Sequence, residues 1–217
     1  MPVQDWMSRD LITVDEDASI MKATKLMKQN GIRHLPVLKK GRLVGIVSDR
    51  ELKEAAPSKA TTLDIHEMYH LLDQVKVKSL MPKQLYTIHP EETVEKAAAV
   101  MLKRYISSLP VLDQDGALQG IITKGDVFKA FVAVSGINAP LAMGFDLIDQ
   151  PGAIKAVTDV IRAHGGRIVS ILTSAELTTE DYLRVYIRAR EVKDEKALRK
   201  ELQEKSKLLY YIHEKVD

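Results

Sequence analysis

The sequence predicts an α+β chain: two β-α-β-β-α repeats, then a β-α-β-β-α-β segment of a different pattern. Three observations predict it. The phrase "LPVL" occurs twice, within "GIRHLPVL" at 31–38 and "YISSLPVL" at 105–112, 74 positions apart. Apolar residues between the strand-like phrases recur at helical spacing in both halves. After "VSGINAP", residues 134–140, the repeat stops and a new alternation begins.

The repeat extends well beyond the phrase. The same offset pairs Val3 with Val77, Met7 with Met81, Thr13 with Thr87, Val14 with Ile88, Ala23 with Ala97 and Met27 with Met101. Past the proline the offset becomes 75, one residue inserted in a turn. Gly41 then meets Gly116, Leu43 meets Leu118, and Gly45-Ile46-Val47-Ser48 meets Gly120-Ile121-Ile122-Thr123. Each half opens on a short strand, "LITV" at 11–14 or "LYTI" at 85–88. An acidic turn and a capping Ser19 or Thr93 lead into a helix. Its apolar face is Ile20, Ala23, Leu26 and Met27, or Val94, Ala97, Val100 and Met101. The LPVL strand, a Gly turn, a second strand ("RLVGIVS" or "ALQGIIT") and a second helix complete the unit. A unit of about fifty residues has too little core to stand alone, so the two are expected to pack together.

The third segment starts with an alternating strand, "LAMGFDLI". Asp149-Gln150-Pro151-Gly152 is a turn, with Pro set to start a helix. Ile154, Val157, Val160 and Ile161 give that helix an apolar face, and Gly165-Gly166 ends it. "RIVSILTS" and "YLRVYIRA" read as strands, "DEKALRKELQEKS" as an amphipathic helix and "LLYYIHEKV" as a last strand. The joint to the repeats is short, residues 136–140, and Pro140 stiffens it. Phe128, Phe131 and Val132 are expected to bury the preceding helix against the core.

The motifs "GIRHLPVL…GIVSDREL" and "YISSLPVL…GIITKGDV" resemble a tandem pair of CBS domains, the two-copy module that senses adenosine compounds. The likeness covers residues 1–134. The element order and DxPG turn of the third segment resemble the ACT domain, a ferredoxin-like fold that commonly binds amino acids. The whole arrangement, linker included, is similar to the bacterial acetoin-utilisation proteins of the AcuB type. The expected division is a first CBS repeat at 1–56, a linker helix at 57–76, a second repeat at 77–134 and an ACT-like domain at 139–217.

In "SDRE" and "TKGD" a hydroxyl residue precedes an acid by three where a strand gives way to a helix. Ser48 or Thr123 then sits near the exposed N–H groups of a helix N-terminus, a favourable place for phosphate. Glu51 or Asp126 can accept hydrogen bonds from ribose hydroxyls. Arg33, His34, Arg50 and Lys124 can supply positive donors to phosphate. Thr13-Val14 and Thr87-Ile88 can present backbone groups and an apolar wall to a base. The competing reading makes Ser48 and Thr123 simple helix caps, with the acids favourable in the first turn.

The resemblance implies two nucleotide sites, each between the acid motif of one half and the first-strand Thr of the other. One joins Thr123 and Asp126 with Thr13 and Val14; the other joins Ser48 and Glu51 with Thr87 and Ile88. The flanking phrases Leu35-Pro36 and Ser108-Leu109-Pro110 complete the implied nucleotide-binding set. Glu51 replaces the usual Asp, and Ser107-Ser108 replaces Arg33-His34, so the sites should be unequal. For the ACT-like segment the implied effector site is Asp149, Gln150, Pro151 and Gly152. Asp149 has the competing reading of a helix-entry cap, and Gly152 that of a turn former.

The 217 residues carry 32 Lys plus Arg against 30 Asp plus Glu, a net charge of +2. That balance offers no basic excess for nucleic acid. Without cysteine there is no disulfide, thiolate metal site or Cys nucleophile. The absence of a long apolar run or signal pattern fits a cytoplasmic protein that does not span a membrane.

"HEMYH" at 66–70 matches H-E-x-x-H, and His66, His70 and Glu67 would suit a zinc-dependent hydrolase if a third ligand existed. Met68, Leu71, Leu72 and Val75 instead suggest a packed helix. His89, His164 and His213 have no partners at ligand spacing. The expected function is therefore regulatory and non-enzymatic. AMP, ADP, ATP or a related adenine nucleotide is the expected regulatory ligand, with no catalytic cofactor. An amino acid is a possible second ligand, the chain is expected to form a homodimer, and it would act on an unidentified regulated protein. The alternatives are the zinc hydrolase and a structural dimerisation module with vestigial sites.

Overall fold

The structure, a computed structural model, describes residues 1–55 and 73–215. It forms two compact units, Met1–Ala130 and Phe131–Asp217.

In the first half of the first unit, α1 (Ile20–Asn30) separates β1 (Val14–Asp15) from β2 (His34–Lys39). β3 (Arg42–Ser48) runs directly into α2 (Asp49–Glu54). The second half repeats this with α3 (Val94–Arg104), β4 (Ser108–Leu112), β5 (Leu118–Thr123) and α4 (Lys124–Ser135). β2 pairs antiparallel with β3, and β4 with β5, each with a register shift just after Val37 or Val111. β1 pairs parallel with β2, and Ile88 alone makes the matching bridge to Val111.

The first strands are shorter than the sequence predicts, and the phrase proline explains why. Ile88 N donates to Pro110 O at 3.1 Å and Leu112 N to Ile88 O at 3.0 Å. The preceding ladder bond would need an N–H from Pro110, which proline lacks. Pro36 stands at the same point beside β1.

Local chemistry sets the helix ends. Ser19 Oγ accepts Lys22 N at 3.3 Å, and Thr93 Oγ1 accepts Lys96 N at 3.1 Å. α1 ends on Gly31 in the left-handed region, φ 63°. α3 ends at the equivalent position on Tyr105, φ 54°, where a side chain costs roughly 1–2 kcal/mol.

The two halves exchange their leading segments. Val3 N donates to Glu92 O and Val94 N to Met1 O, both at 2.8 Å, while Ser8 bridges Ile121. In the reverse direction, Val77 N donates to Ala18 O at 2.9 Å and Ile20 N to Val75 O at 3.0 Å. Val3 and Met7 accordingly belong to the core of the second half, with Leu109, Val111 and Ile122. Val77 belongs to that of the first, with Leu35, Val37 and Val47. Gly120 leaves room for Met7: an added Cβ would lie 2.5 Å from its sulfur and 3.0 Å from Ser8 O.

α4 buries Asp126 and Ala130. Phe128, Phe131 and Val132 are exposed, Phe128 by 68%, which corrects the expectation that they bury this helix. At 3.6 residues per turn they project away from the 126/130 face.

The second unit contains β6 (Leu141–Ile148), α5 (Ala153–Ala163), β7 (Arg167–Ser174), β8 (Tyr182–Arg190), α6 (Glu195–Lys205) and β9 (Lys207–His213). Its strands form one antiparallel sheet in the order β7-β8-β6-β9. Alternate residues Met143, Phe145, Val185 and Ile187 share a core with Val157, Ile161, Leu198 and Leu202, so both helices cover one sheet face. On the other face Asp146 is buried against Arg184 at 2.8 Å and Lys207 at 3.2 Å. The Arg184 guanidinium holds the Asp146 carboxyl below the usual carboxylate range.

The segment leading into β6 is tied to this unit by more than Pro140. Ser170 Oγ donates to Ser135 O at 2.7 Å, Arg188 Nη1 to Ala139 O at 3.4 Å, and Glu214 N to Pro140 O at 2.7 Å.

Candidate functional site

The β3–α2 and β5–α4 junctions open onto one cleft of about 940 Å³ in the first unit. Backbone bonds place the junctions alike: Asp49 N donates to Arg33 O at 2.9 Å and Lys124 N to Ser107 O at 3.0 Å. The residues ahead of each LPVL phrase are thereby tied to a helix start.

Each junction is a cap. Ser48 N donates to Glu51 Oε2 at 2.7 Å, Ser48 Oγ bonds the same oxygen, and Arg50 N donates to Ser48 Oγ at 3.3 Å. Thr123 N and Oγ1 donate to Asp126 Oδ2 at 3.0 and 2.7 Å, and Asp126 N to Thr123 Oγ1 at 3.4 Å. The cap reading is therefore realised at both sites, yet it uses one oxygen of each acid. Asp126 Oδ1 receives Lys129 Nζ at 3.1 Å, from a lysine that is largely exposed. Glu51 Oε1 has no hydrogen-bond partner among the described residues. Asp126 is 5% exposed, whereas Glu51 is half-buried.

His34 Nε2 lies 2.7 Å from Ser107 Oγ, joining the two changed phrases. Burial pushes the imidazole below its ordinary value, against the pull of Asp49 and Glu51 and with a smaller contribution from Arg33. Burial thus works against the charged imidazole that the sequence offers as a positive donor. Arg50 is engaged with Glu54 at 2.8 Å. Arg33 and Lys124 line the cleft with no side-chain ion pair among the described residues.

Of the predicted nucleotide-binding residues, Arg33, His34, Pro36, Ser48, Arg50, Glu51, Ser108, Thr123, Lys124 and Asp126 line this cleft. Thr13, Val14, Leu35, Thr87, Ile88, Leu109 and Pro110 do not. Val14 and Leu35 are buried in the first core, Ile88 and Leu109 in the second. The stretch just before each first strand supplies the wall instead: Arg9, Asp10, Leu11 and Ile12, and Pro82, Gln84 and Tyr86. Tyr105, Ile106, Ser107 and Lys129 also line it. The signal for them lay in the repeat, whose offset pairs Ile12 with Tyr86 and Gly31 with Tyr105.

In the second unit Asp149, Gln150, Pro151 and Gly152 are all exposed. α5 opens at Ala153 with Gly152 as its N-cap, φ 90°, and no side-chain cap bond. Neither an Asp149 cap nor a Pro151 helix start is formed. Asp149 N instead donates to Asp181 O at 3.0 Å. An added Cβ at Gly152 would meet nothing within 4 Å, so this glycine serves the positive φ.

The HEMYH segment lies outside the described residues. Among the described residues no cluster of three or more His, Asp or Glu side chains is arranged to hold a metal ion. His164 pairs with Glu201 at 2.8 Å and His213 with Glu195 at 2.9 Å. No helix among the described residues is long and apolar enough to cross a membrane.

Two matched α+β repeats, with their strand-to-helix junctions on one cleft, define a paired-repeat module of the CBS type. The CBS domain family model matches residues 3–58 and 77–133, and the chain belongs to the CBS-domain family.

Among curated relatives, an inosine-5'-monophosphate dehydrogenase from Korarchaeum cryptofilum is 36% identical over 77% of this chain and 34% of its own length. A CBS domain-containing protein from Dictyostelium discoideum is 33% identical over 61% of this chain and 92% of its own length. The chain spans only 23% to 46% of the first curated relatives it matches.

Among solved structures, the CBS domain pair of protein MJ0100, in complex with 5'-methylthioadenosine and S-adenosyl-L-methionine, is similar at 28% identity and TM-score 0.51. The match covers 61% of this chain and 97% of that one. CBSX2 in complex with AMP matches at 30% identity and TM-score 0.50, over 61% and 97%. A putative acetoin utilisation protein from Vibrio cholerae matches at 28% identity and TM-score 0.50, over 61% and 91%.

Proposed function

We propose that this chain is a ligand-sensing regulatory protein that binds an adenine nucleotide in the cleft of its first unit. The observation that carries this reading is the cleft itself. Two capped strand-to-helix junctions converge on it, with hydroxyls, one buried acid and the cations Arg33 and Lys124 at its wall. Asp126 would accept ribose hydroxyls through Oδ1, displacing the exposed Lys129 ammonium. Arg33 and Lys124 would meet phosphate beside the helix N-termini. Two similar structures, at 28% and 30% identity, carry adenosine ligands. The hydrolase reading of HEMYH finds no support in the matched family.

The second unit fits an ACT-like domain in element order and in its β7-β8-β6-β9 sheet. In this reading it takes an amino acid or similar small molecule near residues 149–152, as part of an AcuB-type arrangement. The apolar face of α4, with Phe128, Phe131 and Val132 exposed, favours pairing with a second copy. A monomer by light scattering at micromolar concentration contradicts the homodimer.

A thermal-shift panel tests the sensor reading. With AMP, ADP, ATP, NAD, S-adenosylmethionine and free amino acids, at least one adenosine compound should raise the melting temperature. Ligand at a hundredfold its Kd adds about 2.7 kcal/mol to the folded state. No shift with any adenosine compound refutes the reading.

A further inference from the structure

We propose that Tyr105 is a specificity-determining residue of the cleft, an aromatic platform on which the base of the bound nucleotide stacks. The inference deepens the nucleotide-sensor reading and rests on it.

The helix ends before the two LPVL phrases are built alike. Gly31 N donates to Lys28 O, and Tyr105 N to Leu102 O, each at 3.4 Å. Both residues close the helix in the left-handed region, at φ 63° and 54°. The cap demands this conformation, and glycine meets it without strain in the first half. The second half meets it with a bulky aromatic, for which the conformation is unfavourable.

Packing does not explain the choice. Tyr105 is 94% exposed and joins none of the apolar clusters. Its phenol has no hydrogen-bond or ring partner among the described residues. Yet it lines the same cleft as Gly31. The other tyrosine of the cleft, Tyr86, already carries the Arg104 guanidinium 4.9 Å from its ring centroid. Tyr105 therefore brings to the cleft a ring that no described residue shares, where its counterpart Gly31 brings no side chain. A strained exposed residue at a site marks function better than stability, and a planar base is the part of a nucleotide that a free aromatic face recognises.

The test separates strain from recognition because they move in opposite directions. In the full chain, Tyr105→Gly should raise the melting temperature without ligand, since glycine accepts the cap geometry. It should weaken AMP about tenfold in a calorimetric titration. Tyr105→Phe keeps the ring and should bind AMP as the parent chain does. Tyr105→Leu keeps the strain, loses the ring and should bind like the glycine variant. Ribose 5-phosphate, which lacks the base, should be indifferent to all three.

Equal AMP affinity in the parent chain and Tyr105→Gly overturns the assignment while leaving the sensor reading standing. Loss of ribose 5-phosphate affinity along with AMP also overturns it. If the parent chain binds none of AMP, ADP, ATP, NAD and S-adenosylmethionine, the sensor reading fails and the assignment fails with it.

Discussion

Replacing Asp126 by Ala should damage nucleotide affinity more than replacing Glu51 does. The two acids do the same capping work, so the comparison isolates what the second carboxylate oxygen contributes. Asp126 is held by Thr123 N, Thr123 Oγ1 and Lys129 and is almost fully buried. It is a fixed acceptor with one oxygen able to exchange an exposed ammonium for ribose hydroxyls. Losing a hydrogen bond to a charged group costs about 1.5–3 kcal/mol, or roughly tenfold to a hundredfold in affinity. Glu51, longer by a methylene and half-buried, is a less fixed acceptor and should matter less.

Both alanine variants keep the capping Ser48 or Thr123 but lose the acid that bonds back to it, about 1 kcal/mol, which lowers the melting temperature by roughly 2–4 °C in a chain of this size. Asp126→Asn keeps an acceptor for Thr123 N while removing the charge. It should retain more stability than the alanine variant and still bind weakly. The assay is calorimetric titration of AMP beside a thermal melt for each variant. Two outcomes refute the reasoning: Glu51→Ala weakening AMP more than Asp126→Ala, or both melting earlier with affinity unchanged. The second would leave the acids as helix caps alone.

Val3→Ala should cost about 2 kcal/mol. Hydrogen exchange should rise around residues 88–111, not around 14–48, because Val3 packs in the core of the opposite half; loosening of 14–48 alone contradicts the exchange of segments. His34 should make stability pH-dependent. Its folded-state pKa lies below the unfolded value of about 6.5. The unfolded chain therefore binds the proton first, and stability falls as pH drops through 6.5 toward the lowered folded value. Melting curves of His34→Gln should lose that component, and an unchanged pH profile would show that His34 does not supply it. If both units bind ligands, each should change the other's affinity by the same factor, about fivefold to 150-fold. Independent affinities in the parent chain contradict that coupling.

The recurring LPVL phrase made the paired repeats legible, since buried strands tolerate few letters. Symmetry also hid something. The offset that matches Val3 with Val77 is the same whether each packs in its own half or the other, so the exchanged segments could not be read from it. The strand lengths failed beside Pro36 and Pro110, whose missing N–H keeps the ladder from reaching back past Val14 and Ile88 to the strand starts that the apolar letters suggest. The burial that lowers the His34 pKa is not written in its motif. On α4, Phe128, Phe131 and Val132 looked like core because they are apolar, but Asp126 and Ala130 hold the inward face. A charged residue facing inward was the clue, and it makes sense only once the Thr123 cap is seen. In the second unit the strands and helices were legible from alternation and spacing, while the entry to α5 was not, because Gly152 caps it through backbone conformation.

A crystal structure of the full chain grown with saturating AMP tests the central claim most directly. The account predicts an adenosine group in the cleft between the Ser48 and Thr123 junctions. Its ribose hydroxyls should lie within hydrogen-bond distance of Asp126, and its phosphate should lie near Arg33 or Lys124. AMP bound elsewhere on the chain, or a cleft without adenosine at concentrations that saturate the protein in solution, contradicts it.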